Sequence, residues 1–289
     1  MGRQRIIRTG LIGAHIGASR FGAALEMLAR SHGLRLDFRS IDTAGQAGFD
    51  ICATLAALAG EGRTGTAITH PHKRKAAGWA GLRLAPEAAR IGAINTVVFT
   101  GEGAVGHNTD YSGFLGAWRA ARGDERPGRV AMAGAGGVAA AVGHALRRLG
   151  ADDIAIWDLA EGAAEALARS IGAPARAVPV AEAAAAVAAA EGVVNCTPLG
   201  MHHHPGDAFA GMALGDAPGG RRWAFDAVYT PTDTPFLQRA AAAGLQTISG
   251  FELFRHMAIA SFEQFSGIRP EESAALERLA QLRPKEAAA

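Results

Sequence analysis

The chain has 289 residues, 49% of them hydrophobic and 19% charged, with 38 glycines, which is length for two lobes and apolar content for a core in each. Lys and Arg number 29 against 27 Asp and Glu, a formal net charge of +2, and so near-neutral a chain is not built to bind nucleic acid. Cys52 and Cys196 are too few for a disulfide framework, the longest uncharged apolar run (130–143) is glycine-broken and too short to cross a bilayer, and the first apolar pair, Leu11-Ile12, is broken at once by Gly13 and His15, unlike a secretory signal; a cytoplasmic protein with no membrane attachment is expected.

Residues 6–12 read as a first strand, followed by a helix over about 23–32. Residues 34–39 alternate apolar and polar side chains, the pattern of a half-buried strand. A helix over 49–60, a strand over 66–69 ending in His70-Pro71, a helical turn over 86–90 and a strand over 95–99 follow. Strand and helix alternate through this stretch, which argues for an α/β lobe with a mostly parallel sheet. A helix over 110–121 leaves it, and a polar turn from Gly123 to Gly128 precedes a second βα rhythm. There, strands are expected at 129–133, 153–157, 192–195 and 223–228, with helices at 138–149, 161–170 and 181–190. The last of these helices is almost pure alanine, the residue of highest helix propensity. From Pro235 on the pattern is helical, with one short strand at Thr247-Ile248. There is no internal repeat.

The second rhythm opens on a glycine turn. Val130-Ala131-Met132-Ala133 leads directly into Gly134-Ala135-Gly136-Gly137-Val138-Ala139, the strand–turn–helix context that the dinucleotide fingerprint G-x-G-x-x-[GA] requires. Gly134 permits the tight turn, Gly136 lets backbone N–H groups approach a pyrophosphate, and Ala139 keeps the helix close to the strand. Gly134, Ala135, Gly136, Gly137 and Val138 are therefore the expected phosphate-side contacts, at a helix N-terminus that favours negative charge. The next strand ends in Asp158, placed to accept bonds from the ribose hydroxyls and to repel a 2′-phosphate. Residues 159–163 carry no Arg or Lys to offset it, so the expected cofactor is NAD rather than NADP.

Lys73, after Ile68-Thr69-His70-Pro71-His72, and Asp110, closing Gly106-His107-Asn108-Thr109-Asp110, form a candidate proton relay. If they face each other, the carboxylate holds the ammonium and the lysine exchanges a proton with a hydroxyl as hydride leaves. Taken singly, each has a plainer reading: Lys73 with Arg74 and Lys75 as a solvated basic stretch, Asp110 as a helix N-cap. His202-His203-His204 sits in a loop with no supporting Cys or carboxylate cluster, and no metal is expected. His15, His70 and His72 are candidates for a polar substrate contact. Trp79, Trp118, Trp157 and Trp223 are scattered and read as structural.

The ordered set 68–73, Gly92-Ala-Ile-Asn95-Thr96, 106–110, 134–137, Asn195-Cys196-Thr197-Pro198-Leu199-Gly200-Met201 and Asp226-Ala-Val228-Tyr229-Thr-Pro231 resembles the shikimate dehydrogenase family, and its quinate/shikimate branch in particular. The resemblance runs from Leu11 to about Ala258. It implies a substrate-binding domain over 1–112, an NAD-binding Rossmann domain over 113–238, and C-terminal helices over 239–289 that return to the first domain, with the active site in the cleft. It implies Lys73 and Asp110 as the catalytic pair and Thr69, Asn95 and Tyr229 as substrate contacts. Asn195, Thr197, Pro198 and Met201 would lie near the nicotinamide end of the cofactor, with Val228 and Gly250 as further cofactor contacts.

The departures from the family pattern bear on the substrate. Where the family carries Ser-x-Ser/Thr-Pro for the substrate carboxylate, this chain has Ser19-Arg20-Phe21-Gly22; where it carries Asn before Val/Ile-Thr, this chain has Ala67. The final-helix position that usually offers Gln falls on Met257. Ser19, Phe21 and Met257 are thus expected on the substrate side, with the Ser19 hydroxyl retained and Phe21, Ala67 and Met257 the positions that differ. Three lost hydrogen bonds would weaken a shikimate-like ligand by about 3 kcal/mol or more, on the order of a hundredfold. The expectation is an NAD-dependent oxidoreductase with retained hydride transfer and a changed substrate: the secondary alcohol of a small alicyclic or polyol molecule, handled by a monomer or homodimer with no nucleic-acid or membrane partner. A non-catalytic NAD-binding regulator with an eroded pocket is the alternative, disfavoured because Lys73, Asp110 and Asn95 are all retained. A folate-linked dehydrogenase of similar architecture fits these segments less well.

Overall fold

The computed structural model describes residues 5–79, 81–215 and 222–284. The chain divides into two units, Met1–Ser112 with Arg255–Leu282, and Gly113–Phe254 with Arg283–Ala289.

In the first unit, strand β1 (Ile6–Gly13) is buried along its second half and forms the sheet's spine, pairing in parallel with β2 (Arg35–Asp42) and β3 (Gly65–Ile68). Between them, α1 (Phe21–Ser31) buries Phe21, Leu25 and Leu28 on one face, and α2 (Ile51–Gly60) buries Ile51, Leu55 and Leu58. The Asp50 side chain caps α2 by accepting the Cys52 and Ala53 N–H groups. A one-turn helix α3 (Lys73–Ala77), β4 (Leu82–Leu84), α4 (Pro86–Ile91), β5 (Thr96–Thr100) and β6 (Gly103–His107) complete this half, before α5 (Thr109–Arg122). The sheet order is β2-β1-β3-β5-β6-β4. β5 runs antiparallel to both β3 and β6, so the sheet is mixed while most of its pairings are parallel.

The patterning does not single out β4 and β6. β4 is three residues long, and β6 contains two glycines, which lower strand propensity. Gly106 is explained by packing: a Cβ there would lie 3.0–3.2 Å from Ile94, Leu82 and Leu84. Pairing, not propensity, makes this segment a strand.

The second unit is a wholly parallel sheet of β7 (Arg129–Ala133), β8 (Asp153–Trp157), β9 (Ala175–Ala177), β10 (Gly192–Asn195), β11 (Trp223–Asp226) and β12 (Gln246–Ser249), in the order β12-β11-β10-β7-β8-β9. Its helices are α6 (Gly137–Arg148), α7 (Ala163–Ile171), α8 (Ala183–Ala189), α9 (Pro235–Ala242) and the start of α10 (Gly250–Ser266). This is the doubly wound order of a dinucleotide-binding fold, and its switch point falls between β7 and β10. Trp118 and Trp223 pack edge to face with ring centroids 4.8 Å apart, and Trp157 meets Phe209 in the same way at 5.7 Å.

One boundary differs from expectation. Residues 239–254 belong to the second unit, because β12 pairs with β11 along its whole length and supplies the partner that edge would otherwise lack. The chain rejoins the first unit only at Arg255, and α11 (Glu272–Ala280) follows there, its N-terminus capped by Glu271.

Candidate active site

In the first unit, β3 ends at Ile68 and the Thr69 N–H donates to Ile12 O at 2.8 Å, carrying the chain off the sheet's end toward Lys73. The Thr69 methyl packs over Gly13, where a Cβ would come within 2.2 Å of it. His72, the residue before Lys73, is not free for a ligand: its Nε2 lies 2.8 Å from Thr43 Oγ1 and its ring 4.9 Å from Phe49. Burial pushes the His72 imidazole below its ordinary range, with His70 and Lys75 adding to the effect. The ring therefore anchors the segment that carries the lysine. His15 lies exposed in a loop with φ 56°, and its N–H is held by Asp42.

Lys73 Nζ donates to Asp110 Oδ2 at 2.5 Å, with the two side chains only 16% and 8% exposed. The preceding residue, Thr109, is held by Asn95. Asn95 Oδ1 accepts the Thr109 N–H (2.7 Å), the Thr109 hydroxyl (3.0 Å) and the Thr96 hydroxyl (3.1 Å). Three donors on one oxygen fix the amide's orientation, and among the described residues its Nδ2 has no protein partner; the donor end is what Asn95 presents. Ser261 Oγ lies 3.0 Å from Thr109 Oγ1 and 3.4 Å from Thr96 Oγ1, and it donates to Met257 Sδ at 3.7 Å. Met257 is thereby tied to the same network as Asn95. Thr96, Thr109 and Ser261 were not among the expected site residues. Thr109 lies inside the quoted Gly106–Asp110 segment and Ser261 one helical turn after Met257, which is the signal that could have found them.

Phe21 is a correction. Its ring is 3% exposed and packs against Phe38 at a centroid distance of 6.2 Å, so it belongs to the hydrophobic face of α1 and does not line a pocket. Ser19 is half-buried, and its Oγ accepts the Phe21 N–H at 3.3 Å.

In the second unit, β7 runs into Gly134 at φ 97°, where any Cβ would come within 2.8 Å of the Cys196 carbonyl. Only glycine fits that turn. Gly136 is exposed, with no atom within 4 Å of where its Cβ would be. The N-terminus of the 12-residue α6, beginning at Gly137 and Val138, has no side-chain cap. Its first-turn N–H groups are thus left for an external acceptor, which fits a pyrophosphate. Asp158 Oδ2 accepts the Ala135 N–H at 2.6 Å and Oδ1 the Ala160 N–H at 2.8 Å. It ties the glycine turn to the end of β8, a role the sequence does not suggest. The neighbouring Leu159 is 88% exposed.

Asn195 is the second correction. Its side chain is fully buried and every polar position is used: Oδ1 accepts from Thr197 N (3.0 Å) and Oγ1 (2.7 Å), and Nδ2 donates to Leu199 O (3.0 Å) and Asp226 Oδ1 (2.9 Å). It shapes the turn in place of touching a ligand. Pro198 and Met201 on that turn are exposed, and Thr197 Oγ1 also accepts the Leu199 N–H. Val228 is buried, and a Cβ at Gly250 would come within 2.4 Å of Ala227 O and 2.7 Å of Val228 O; both positions serve close backbone packing. The Tyr229 ring stacks on Phe254 at 5.2 Å and 5°, and Phe254 stacks on Phe251. His202, His203 and His204 are exposed, and among the described residues no group of three or more His, Cys, Asp or Glu is arranged for a metal ion. Among the described residues no helix is long and apolar enough to cross a membrane.

A model of the shikimate dehydrogenase substrate binding domain matches residues 11–97. The chain is 36% identical to the quinate/shikimate dehydrogenase (NAD(+)) of Corynebacterium efficiens, covering 92% of this chain and 94% of that one. It is 37% identical to the shikimate dehydrogenase (NADP(+)) of Streptomyces avermitilis, covering 94% of each. Among solved structures, quinate dehydrogenase from Corynebacterium glutamicum in complex with NAD superposes with a TM-score of 0.87 at 34% identity, covering 96% of this chain and 100% of that one. Similarity of this extent, over both units and through the segments that carry Lys73, Asp110 and the glycine turn, places the chain in the shikimate/quinate dehydrogenase family.

Proposed function

We infer that the chain is an NAD-dependent oxidoreductase of the shikimate/quinate dehydrogenase type, interconverting a secondary alcohol and its ketone on a small alicyclic or polyol substrate. The observation that carries the reading is the Lys73–Asp110 pair, a buried-side amine held by a carboxylate. Bound NAD supplies the hydride acceptor. Lys73 Nζ is the atom through which the hydroxyl proton leaves, or returns in the reverse direction, while Asp110 keeps the amine in place. Asn95, with its oxygen saturated, offers Nδ2 to a substrate oxygen. The first unit is the substrate domain and the second binds the cofactor.

Preference for NAD over NADP rests on Asp158: its carboxylate stands at the end of β8, and residues 159–163 contain no cation to receive a 2′-phosphate. Relatives of both cofactor types exist, so this is a property of the residues and not of the family. The substrate departs from shikimate because Phe21 is spent on the core and Met257 offers a thioether, leaving fewer polar groups for a carboxylate or ring hydroxyls. The small-molecule substrate and two cysteines, Cys52 and Cys196, that form no disulfide suit a cytoplasmic monomer or homodimer.

Purified protein is assayed for NADH formation with quinate, shikimate and a panel of cyclic alcohols and polyols, with NADP in parallel and Lys73→Ala as control. Turnover on a less polar alcohol with NAD, abolished in the variant, is the expected result. Efficient use of shikimate or quinate refutes the altered specificity, and no turnover on any alcohol refutes the enzymatic reading.

A further inference from the structure

β10 and β11 lie side by side in register, and their last residues, Asn195 and Asp226, are directly paired. Both side chains are fully buried. Asp226 Oδ1 accepts the Asn195 amide at 2.9 Å and the Val228 N–H at 3.0 Å, and Oδ2 accepts the Thr234 hydroxyl at 2.6 Å. Thr234 in turn caps α9, accepting the Leu237 N–H at 3.2 Å.

A carboxyl group without solvent contact is an expensive choice for bracing the Thr234 cap, because a neutral hydroxyl or amide would accept that bond at lower desolvation cost. What Asp226 alone achieves is the orientation of Asn195. With Asp226 Oδ1 taking one amide proton, the Asn195 oxygen must face Thr197 and its second amide proton Leu199 O. That geometry sets the Thr197-Pro198-Leu199 turn. The same turn abuts the glycine loop, since the Gly134 Cα faces the Cys196 carbonyl and the Thr197 nitrogen at distances that exclude a Cβ.

We propose that Asp226 is a positioning residue for the dinucleotide: through Asn195 it fixes the 197–199 turn against the glycine turn, and so shapes the cofactor surface it never touches. The assignment rests on the reading that NAD binds at Gly134–Val138. Asp226 acts on the cofactor through Oδ1 and on the stability of α9 through Oδ2. The two effects are therefore separable by substitution.

The test is NADH affinity, followed by fluorescence titration, beside thermal melting of the full chain. Asp226→Leu removes both links and is expected to weaken NADH binding by about tenfold or more. Asp226→Asn keeps an acceptor at Oδ1 and is expected to stay within about threefold of the unaltered protein. Thr234→Val cuts only the Oδ2 side and is expected to lower the melting temperature while leaving NADH affinity alone. Should Asp226→Leu not accumulate as folded protein, Asn195→Ala cuts the same link from the other strand, with the same tenfold loss expected. The assignment is overturned if folded Asp226→Leu or Asn195→Ala binds NADH normally, if Asn does no better than Leu at 226, or if Thr234→Val loses as much affinity as Asp226→Leu. Failure of the unaltered protein to bind NADH overturns the cofactor reading as well, which distinguishes the two.

Discussion

Replacing Lys73 by Met should uncouple stability from chemistry in a way that a double-mutant cycle can read. Lys73 Nζ and Asp110 Oδ2 are 2.5 Å apart with both side chains under one-fifth exposed, so the pair does not behave as a screened surface bridge. At an effective dielectric near 20, two unit charges at that separation attract by about 7 kcal/mol before desolvation is subtracted. Removing one partner of a largely buried pair costs about 3–5 kcal/mol, because the other charge is left stranded. Asp110 sits in the first turn of α5, where the helix end favours a negative charge, and this places the expected loss for Lys73→Met at the low end, about 3 kcal/mol. Adding Asp110→Asn neutralises the stranded carboxyl, and the double variant should recover most of that loss. Turnover should not recover: with the proton relay gone it stays down by about 10²–10⁴-fold in both. Urea unfolding followed by tryptophan fluorescence gives the stability terms, NADH titration shows that cofactor binding is unchanged, and initial rates give the rest. Equal stabilities for Lys73→Met and the unaltered protein, or regained turnover in the double variant, would refute the argument.

Burial pushes the Asp226 carboxyl up to about 6 from an ordinary 3.8, against the hydrogen bonds from Thr234, Val228 and Asn195 and with Asp207 adding to the rise. The folded state thus binds an extra proton between about pH 4 and 6, and this group's contribution to stability falls as pH rises through that window, by about 3 kcal/mol in total. Asp226→Asn lacks this titration, so its stability relative to the unaltered protein should improve by about that amount from about pH 4 to 7.5 in urea titrations, and a constant offset would count against it. Gly134→Ala forces a Cβ within 2.8 Å of the Cys196 backbone at a φ of 97°; NADH affinity should fall by more than about tenfold, as expected for strain of about 1–3 kcal/mol at the binding turn. Met257→Gln puts an amide where Ser261 now meets a thioether, and should raise kcat/KM for shikimate or quinate by up to about tenfold, the worth of one hydrogen bond; no change would remove Met257 from the substrate side.

The parts of this molecule that are legible in the sequence are those where chemistry and local pattern coincide. The strand–glycine–helix run at 130–139 could be read because strand, glycines and helix are contiguous in sequence, and Gly134 answers to a steric demand of the turn itself. Lys73 and Asp110, 37 positions apart, could be paired only through family resemblance, since nothing in spacing brings two segments together. β4 and β6 are set by their neighbours and carry too little β propensity to be seen. Phe21 shows the limit of reasoning by aligned position: the backbone site matches a substrate-binding motif, yet a phenyl ring at the first turn of an amphipathic helix finds Phe38 and leaves the surface. Asn195 shows the converse, a motif residue that works from inside. Thr96, Thr109 and Ser261 form one network although Ser261 is 165 residues from Thr96, a distance no window of sequence can bridge.

That last separation has a consequence for how the molecule is made. Ser261, Phe262 against His32, Phe265 beneath Gly65 and the Ser266 carbonyl receiving Arg5 all come from the last tenth or so of the chain. Residues 113–254 are all translated before these are. The amino-terminal half therefore stays incomplete until its closing helix is made, and a chain cut short before Arg255 lacks Ser261, one member of the hydroxyl network.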